Sequence, residues 1–312
     1  MVDRDRAGPA GTVRAAIRSS KEAIRRALRP DSVVWRKAID AGVRFGPDPW
    51  VRYSPPVFGL AFGAALPKAR ELVRANLRRI CGERPPLAEL RDVAAVFATY
   101  ASCLTEGLLL GSGRGYKLTS HAPGVEHYLA CAAEGRGVII ATAHTGGWEV
   151  AGPMLSEVHP AEVVIVMRRE RDPRARAIQD EARLRAGVKV VHIGDSPFDA
   201  LPLLRYLKGG AVVAMQIDRA YPGMRTRKVS FLGEEFQVPE GPLTLSALSG
   251  APILPMFTRR LGFMDYEVAV SPPIRLPRRP SDEEIDRAAQ AMSAAMEAFV
   301  KAHPTQWFHF AG

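Results

Sequence analysis

Apolar residues in the first 120 positions recur at helical intervals. Lys68–Ile80 and Leu87–Leu110 both carry them three and four residues apart, which predicts amphipathic helices. From Gly137 the texture changes. Short apolar runs alternate with helical patterns: G-V-I-I-A-T-A (137–143), V-V-I-V-M (163–167), V-K-V-V-H-I (188–193), A-V-V-A-M-Q-I (211–217), A-P-I-L-P-M-F (251–257) and Y-E-V-A-V (266–270). That rhythm predicts an α/β fold, a mostly parallel central sheet flanked by helices behind a helical N-terminal region. S-D-E-E at Ser281–Glu284 predicts a capping box opening a final helix. The G-S-G-R-G of Gly111–Gly115 follows a helix rather than a strand, so it predicts a turn and not a dinucleotide loop.

With 312 residues, 47% of them apolar, the chain can bury one large core. Residues 1–48 form a basic N-terminal extension and residues 49–312 the main domain in this reading. Cys81, Cys103 and Cys131 are scattered without metal spacing, which predicts reduced thiols and no metal site. No run reaches the length needed to span a bilayer, and the N-terminus lacks the apolar core of a signal peptide. Pro55–Pro67, P-P-V-F-G-L-A-F-G-A-A-L-P, is too short to cross. It reads as a buried helix, or as a segment that dips into an interface or lines an acyl pocket.

The formal net charge is +10, and residues 1–30 hold eight Lys/Arg against three Asp/Glu. Val13, Ile17, Ile24 and Leu28 recur there at helical spacing, with Arg14, Arg18, Lys21, Arg25 and Arg29 on other faces. Such a basic amphipathic helix suits an anionic membrane surface; a solvated helix packed on the main domain is the alternative. Zinc, helix-turn-helix and RNA-recognition signatures are missing, so the basic balance is not assigned to nucleic acid.

Ligands of parallel sheets gather at the carboxyl ends of the strands. His144 lies just past the first candidate strand and Asp218 just past the fourth. His144 opens H-T-G-G-W-E, with Glu149 five residues on. On a regular helix those two would point about 140° apart. A tight turn at Gly146-Gly147 would allow them to meet, placing Glu149 in the first turn of the next helix. Its carboxylate could then fix one imidazole nitrogen and leave the other as a base. Amides exposed at that helix start would favour an anionic oxygen. The alternative, a histidine hydrogen-bonded within an ordinary strand–helix turn, stays open on these residues alone. G-D-S-P-F at Gly194–Phe198 lacks the closing glycine of a serine elbow.

H-T-G-G-W-E resembles the H-x4-[D/E] signature of glycerolipid and lipid A acyltransferases, closest to the bacterial lipid A biosynthesis and phosphatidylinositol mannoside acyltransferases. Further blocks follow in family order: M-R-R-E-R-D-P (167–173), E-A-R-L-R-A-G (181–187), S-G-A-P-I-L-P-M-F-T-R-R (249–260) and H-P-T-Q-W-F-H-F (303–310). N-L-R-R-I-C and the helix bearing Glu106 resemble its N-terminal half, so the likeness covers roughly residues 50–310. It implies His144 as general base, Glu149 as its orienting partner, Arg183 in substrate binding and Arg168 at a phosphate or donor group. At Met215–Arg219, M-Q-I-D-R, the chain departs from the family's D-x-D: Gln216 replaces the first acid and only the acid Asp218 is kept. The two are candidates to support the site, Asp218 by orienting it or binding substrate. V-P-E-G at Val238–Gly241 looks like another catalytic block but fits the start of a helix, so Glu240 is left out.

The resemblance thus implies an O-acyltransferase without metal or cofactor. It would carry an acyl group from acyl carrier protein or acyl-CoA to a hydroxyl of a lipid or glycolipid. Its expected place is the cytoplasmic face of the bacterial inner membrane, bound peripherally, with the oligomeric state left open. A thioesterase using the same histidine on water, or a non-catalytic lipid-binding protein, are the competing readings.

Overall fold

The computed structural model describes residues 33–310 apart from 160, 169–172, 195–199 and 222. The basic helix expected between Val13 and Leu28 lies outside the described residues, as do residues 169–172 of the second family block. Four helices come first: α1 (Val33–Phe45), α2 (Asp48–Ala65), α3 (Pro67–Cys81) and α4 (Pro86–Leu110). Helix α4 is long and apolar enough to cross a membrane by composition, contrary to the expectation that no run qualifies. In the fold it is a scaffold, with Val93, Val96, Phe97 and Leu109 buried and the buried carboxylates Asp92 and Glu106 on its length.

The Pro55–Pro67 run falls mainly in α2, and it is only partly buried. Val51, Pro55, Gly59 and Gly63, four residues apart, form the inner stripe. A side chain at Gly59 would lie 2.3 Å from the carbonyl oxygen of Phe97, so the glycine lets the backbones of α2 and α4 approach closely. Trp50, Tyr53, Val57, Phe58, Leu60 and Phe62, on the remaining faces, are exposed.

The sheet follows: β1 (Thr119–His121), β2 (Val138–Thr142), β3 (Val163–Arg168), β4 (Val188–Ile193), β5 (Val212–Gln216), β8 (Ile253–Gly262) and β9 (Asp265–Val270). Its order is β1-β9-β8-β2-β5-β3-β4, parallel throughout except for the β8–β9 pair. Helices α5 (Val125–Ala133), α6 (Trp148–Val158), α7 (Pro173–Arg185), α8 (Leu201–Lys208), α9 (Gly241–Ser249) and α10 (Asp282–Ala302) connect and cover it. This is the expected architecture. β2, β5 and β8 are central, which is why their runs Val138–Ala141, Val212–Val213 and Ile253–Phe257 are buried with no polar alternation. The Ser281–Glu284 capping box is formed, with Ser281 Oγ accepting from Glu284 N–H and the Glu284 carboxylate from Ser281 N–H.

A two-stranded hairpin, β6 (Thr226–Phe231) and β7 (Glu234–Pro239), was not expected. Its turn, Leu232-Gly233, has φ of 55° and 79°, a primed-turn geometry suited to a tight hairpin. Glu240 beyond it pairs with Arg225 and Arg227 at 3.0 and 2.6 Å and precedes α9.

Candidate active site

Strand β2 ends at Thr142 and α6 begins at Trp148, so His144 sits in a five-residue crossing at the carboxyl edge of the sheet. Both glycines of the crossing are required sterically. Gly147 has φ of 94°, and a Cβ there would stand 2.3 Å from the Tyr266 ring. A Cβ at Gly146 would stand 1.9 Å from Gln306 Oε1. The tight turn therefore forms as the spacing suggested.

It does not bring His144 to Glu149. His144 Nδ1 lies 2.9 Å from Asp218 Oδ1, and the His144 backbone N–H donates to Asp218 Oδ2 at 3.2 Å. Trp307 Nε1–H donates to the same oxygen at 3.2 Å. Asp218 is fully buried and follows β5, whose Gln216 is in register with Thr142 of β2. Parallel neighbours that end together place His144 and Asp218 side by side although 74 residues separate them. Burial alone would push the Asp218 carboxyl up. The charge and hydrogen bond of His144, with His309 and Arg219 nearby, outweigh burial and hold it well below the usual carboxylate range. An ionised carboxylate only accepts, so the Nδ1 position carries the proton and Nε2 presents its lone pair. Among the described residues Nε2 has no protein partner, and the side chain keeps 13% of its surface open.

Glu149 turns the other way. Its carboxylate takes Arg183 Nη2 and Nε at 2.9 and 3.3 Å, and its Cβ packs where α4 presents Gly107. The pair ties the first turn of α6 to α7, with only 15% and 12% of the two side chains exposed. The expected hydrogen bond from His144 to Glu149 is thus replaced by one to Asp218, because the first helical turn carries residue 149 away from the crossing. Arg183, expected at the substrate, is engaged by Glu149 and lies 3.9 Å from Asp180, which in turn bonds His192 Nε2 at 2.7 Å. Arg168 is exposed at the end of β3, its guanidinium 4.8 Å from the centre of the Tyr221 ring.

The closing block braces the site in a way spacing alone does not show. Besides the Trp307 bond to Asp218, Gly146 N–H donates to the Gln306 carbonyl and Phe308 N–H to the His144 carbonyl. His309 stacks on Trp307 with ring centres 4.8 Å apart and Nδ1 3.9 Å from Asp218. Asn76, of the N-L-R-R-I-C segment, donates to the His309 carbonyl. Glu106 is buried and accepts from Arg260, Met264 N–H and the Tyr266 hydroxyl, which joins α4 to β8 and β9 behind the glycines. Cys103 beside it is pushed up to about 12, first by burial and then by Glu106, so it stays a neutral thiol rather than a nucleophile.

The amides at the start of α6 are not free in the expected way. Thr145 N–H donates to Ala143, Gly146 to Gln306 and Trp148 to Thr145. Below the crossing, between α6 and the sheet, runs a narrow apolar crevice of about 40 Å³. Ile140, Leu155, Ile165, Ala214 and Met256 line its depth, and Thr142, Gln216, Thr258 and Trp148 lie toward the carboxyl edge. The Trp148 ring also meets His144 edge-on at 5.4 Å, so one side chain touches both the imidazole and the crevice.

The model of the bacterial lipid A biosynthesis acyltransferases matches residues 32–311. The chain belongs to this family. It is therefore a lipid acyltransferase. It is similar to the phosphatidylinositol mannoside acyltransferase of Mycobacterium tuberculosis H37Rv, 24% identical over 283 residues that cover 87% of this chain and 80% of that protein. The enzyme of the same name from Mycolicibacterium smegmatis is 25% identical over 244 residues, covering 76% and 77%. Among solved structures, the 1-acyl-sn-glycerophosphate acyltransferase PlsC of Thermotoga maritima aligns over 86% of this chain and 99% of its own. The identity is 12% and the TM-score 0.39.

Proposed function

We propose that this acyltransferase moves a fatty acyl group from a thioester donor to a hydroxyl of a lipid or glycolipid, with His144 as general base and Asp218 as its orienting partner. The observation that carries the reading is the His144–Asp218 pair: Nδ1 tied to a buried, ionised carboxylate and Nε2 without a protein partner among the described residues, beside the Trp148 ring that also lines the apolar crevice. The acceptor hydroxyl gives its proton to Nε2 as its oxygen bonds to the acyl carbon. The carbonyl becomes an oxyanion, the C–S bond breaks as it collapses, and the imidazolium returns the proton to the departing thiolate. Asp218 stabilises the transient imidazolium without taking its proton. The acyl chain enters the crevice, whose walls separate under it. The donor is acyl carrier protein or acyl-CoA; both are acidic and suit the net charge of +10.

The chain works peripherally on the cytoplasmic face of the bacterial inner membrane in this reading. The exposed Trp50, Tyr53, Val57, Phe58, Leu60 and Phe62 of α2 support that placement. A contiguous apolar ridge of this kind on a soluble surface marks a contact with lipid or protein, and aromatic rings suit the bilayer interface. Purified protein incubated with acyl-CoA or acyl carrier protein thioester, with and without phosphatidylinositol mannoside or another glycolipid, tests the proposal. Acylated lipid formed only with acceptor present is expected. Thiol release equally fast without acceptor, yielding only free fatty acid, would make it a thioesterase.

A further inference from the structure

The reaction builds negative charge on the thioester oxygen, and that oxygen needs a hydrogen-bond donor. The backbone N–H groups of His144, Thr145, Gly146 and Trp148 already have acceptors inside the protein: Asp218, Ala143, Gln306 and Thr145 in turn. That leaves the N–H groups of Gly147 and Glu149 and the side chains at the crevice. At the polar end of the crevice stand Thr142, Gln216, Thr258 and Trp148. Thr258 Oγ1 is already 3.4 Å from the Thr145 hydroxyl. Gln216 lines the crevice too, and its carboxamide, like the Thr142 hydroxyl and the Trp148 indole N–H, has no hydrogen-bond partner among the described residues. Of the three it alone offers two N–H donors.

Its position fits the task. Gln216 is the last residue of β5, in register with Thr142, and two residues before the aspartate that holds His144. Gln216 therefore sits two residues below the base along the paired strands, among the residues that line the crevice. It offers two N–H donors and no charge, whereas a carboxylate at the same point would repel the developing oxyanion.

We propose that the Gln216 side-chain amide donates to the carbonyl oxygen of the acyl thioester and holds the oxyanion formed when the acceptor attacks. This rests on the crevice being the acyl site and His144 the base. The proton still moves from the acceptor hydroxyl to Nε2 and on to the thiolate; Gln216 only donates a hydrogen bond and keeps its protons.

The test is steady-state acyl transfer by Gln216→Leu and by the near-isosteric Gln216→Glu, with unfolding temperatures and pH–rate profiles measured on the same preparations. Folded Gln216→Leu is expected to lose about 10²- to 10³-fold in kcat. Donor KM and the acid limb set by His144 should stay near the wild-type values, and Gln216→Glu should fall further at neutral pH. A folded variant of either kind keeping kcat within about threefold would overturn the proposal and hand the role to the Gly147 or Glu149 N–H. So would a loss confined to KM. Wild-type protein that transfers no acyl group at all would instead sink the acyltransferase chemistry on which the proposal stands.

Discussion

Replacing Asp218 by asparagine should disable the base while leaving the fold in place. The carboxylate has two sides. Oδ2 accepts from the His144 backbone N–H and from Trp307 Nε1–H, and Oδ1 faces His144 Nδ1. Neither a backbone amide nor an indole can reverse its role, so the asparagine oxygen must take the Oδ2 side. Its NH2 then points at Nδ1, which has to offer a lone pair, and the imidazole proton moves to Nε2. The atom that should accept the acceptor's proton is then blocked. Swapping a buried aspartate for asparagine in the serine-protease triad costs about 10⁴ in kcat by the same tautomer logic, and a fall of about 10³- to 10⁴-fold is expected here. The lost charge-assisted bonds cost about 1–3 kcal/mol of stability, small beside the kinetic effect. Single-turnover acyl transfer, read as thiol release and as acylated lipid, measures it. Glu149→Gln is the control: it breaks the Arg183 pair and should lower the unfolding temperature while leaving the pH–rate profile unchanged. Asp218→Asn retaining a tenth of wild-type kcat would refute the reasoning. So would Glu149→Gln losing as much with its stability intact.

Three further outcomes follow from the same geometry. Ala214→Leu adds bulk to the crevice wall and should shift the preference to shorter acyl chains, by roughly fourfold in kcat/KM per methylene that no longer fits, scored with a series of donors. Changing Trp50, Phe58 and Phe62 of α2 together to serine should raise solubility and weaken binding to vesicles of anionic phospholipid, with activity on a short-chain soluble acceptor kept; unaltered vesicle binding would remove α2 from the membrane contact. Asp218, depressed in the folded state, stabilises the fold fully above the unfolded aspartate value of about 4, and that contribution is lost as pH falls toward the folded value. Urea unfolding should therefore show the gap between wild type and Asp218→Asn constant from pH 7 to about 5 and narrowing at pH 3.

The parallel sheet was legible because its central strands are buried on both faces and so read as unbroken apolar runs. The β6–β7 hairpin escaped for the opposite reason. T-R-K-V-S-F and E-E-F-Q-V-P are largely polar, and their turn has leucine where a turn-forming residue would have announced it. β1 is three exposed residues, too short for any period. At the site, the two glycines of the crossing were readable as a tight turn, and His144 and Asp218 as residues at strand ends. Their contact was not, since it depends on β2 and β5 being neighbours in the sheet, which no local spacing encodes. Glu149 shows the converse: closeness in sequence suggested a pair, and one helical turn separates it from the imidazole. Trp307 lay in a motif the resemblance picked out, but only the folded chain reveals its indole on Asp218.

The account stands most directly on one comparison: lipid product formed from an acyl thioester and a glycolipid acceptor by wild-type protein and by His144→Ala, followed by mass spectrometry. Acylated acceptor is expected with wild type and a loss of at least 10³-fold with the variant, both proteins unfolding at similar temperatures. Equal product from folded His144→Ala would contradict it.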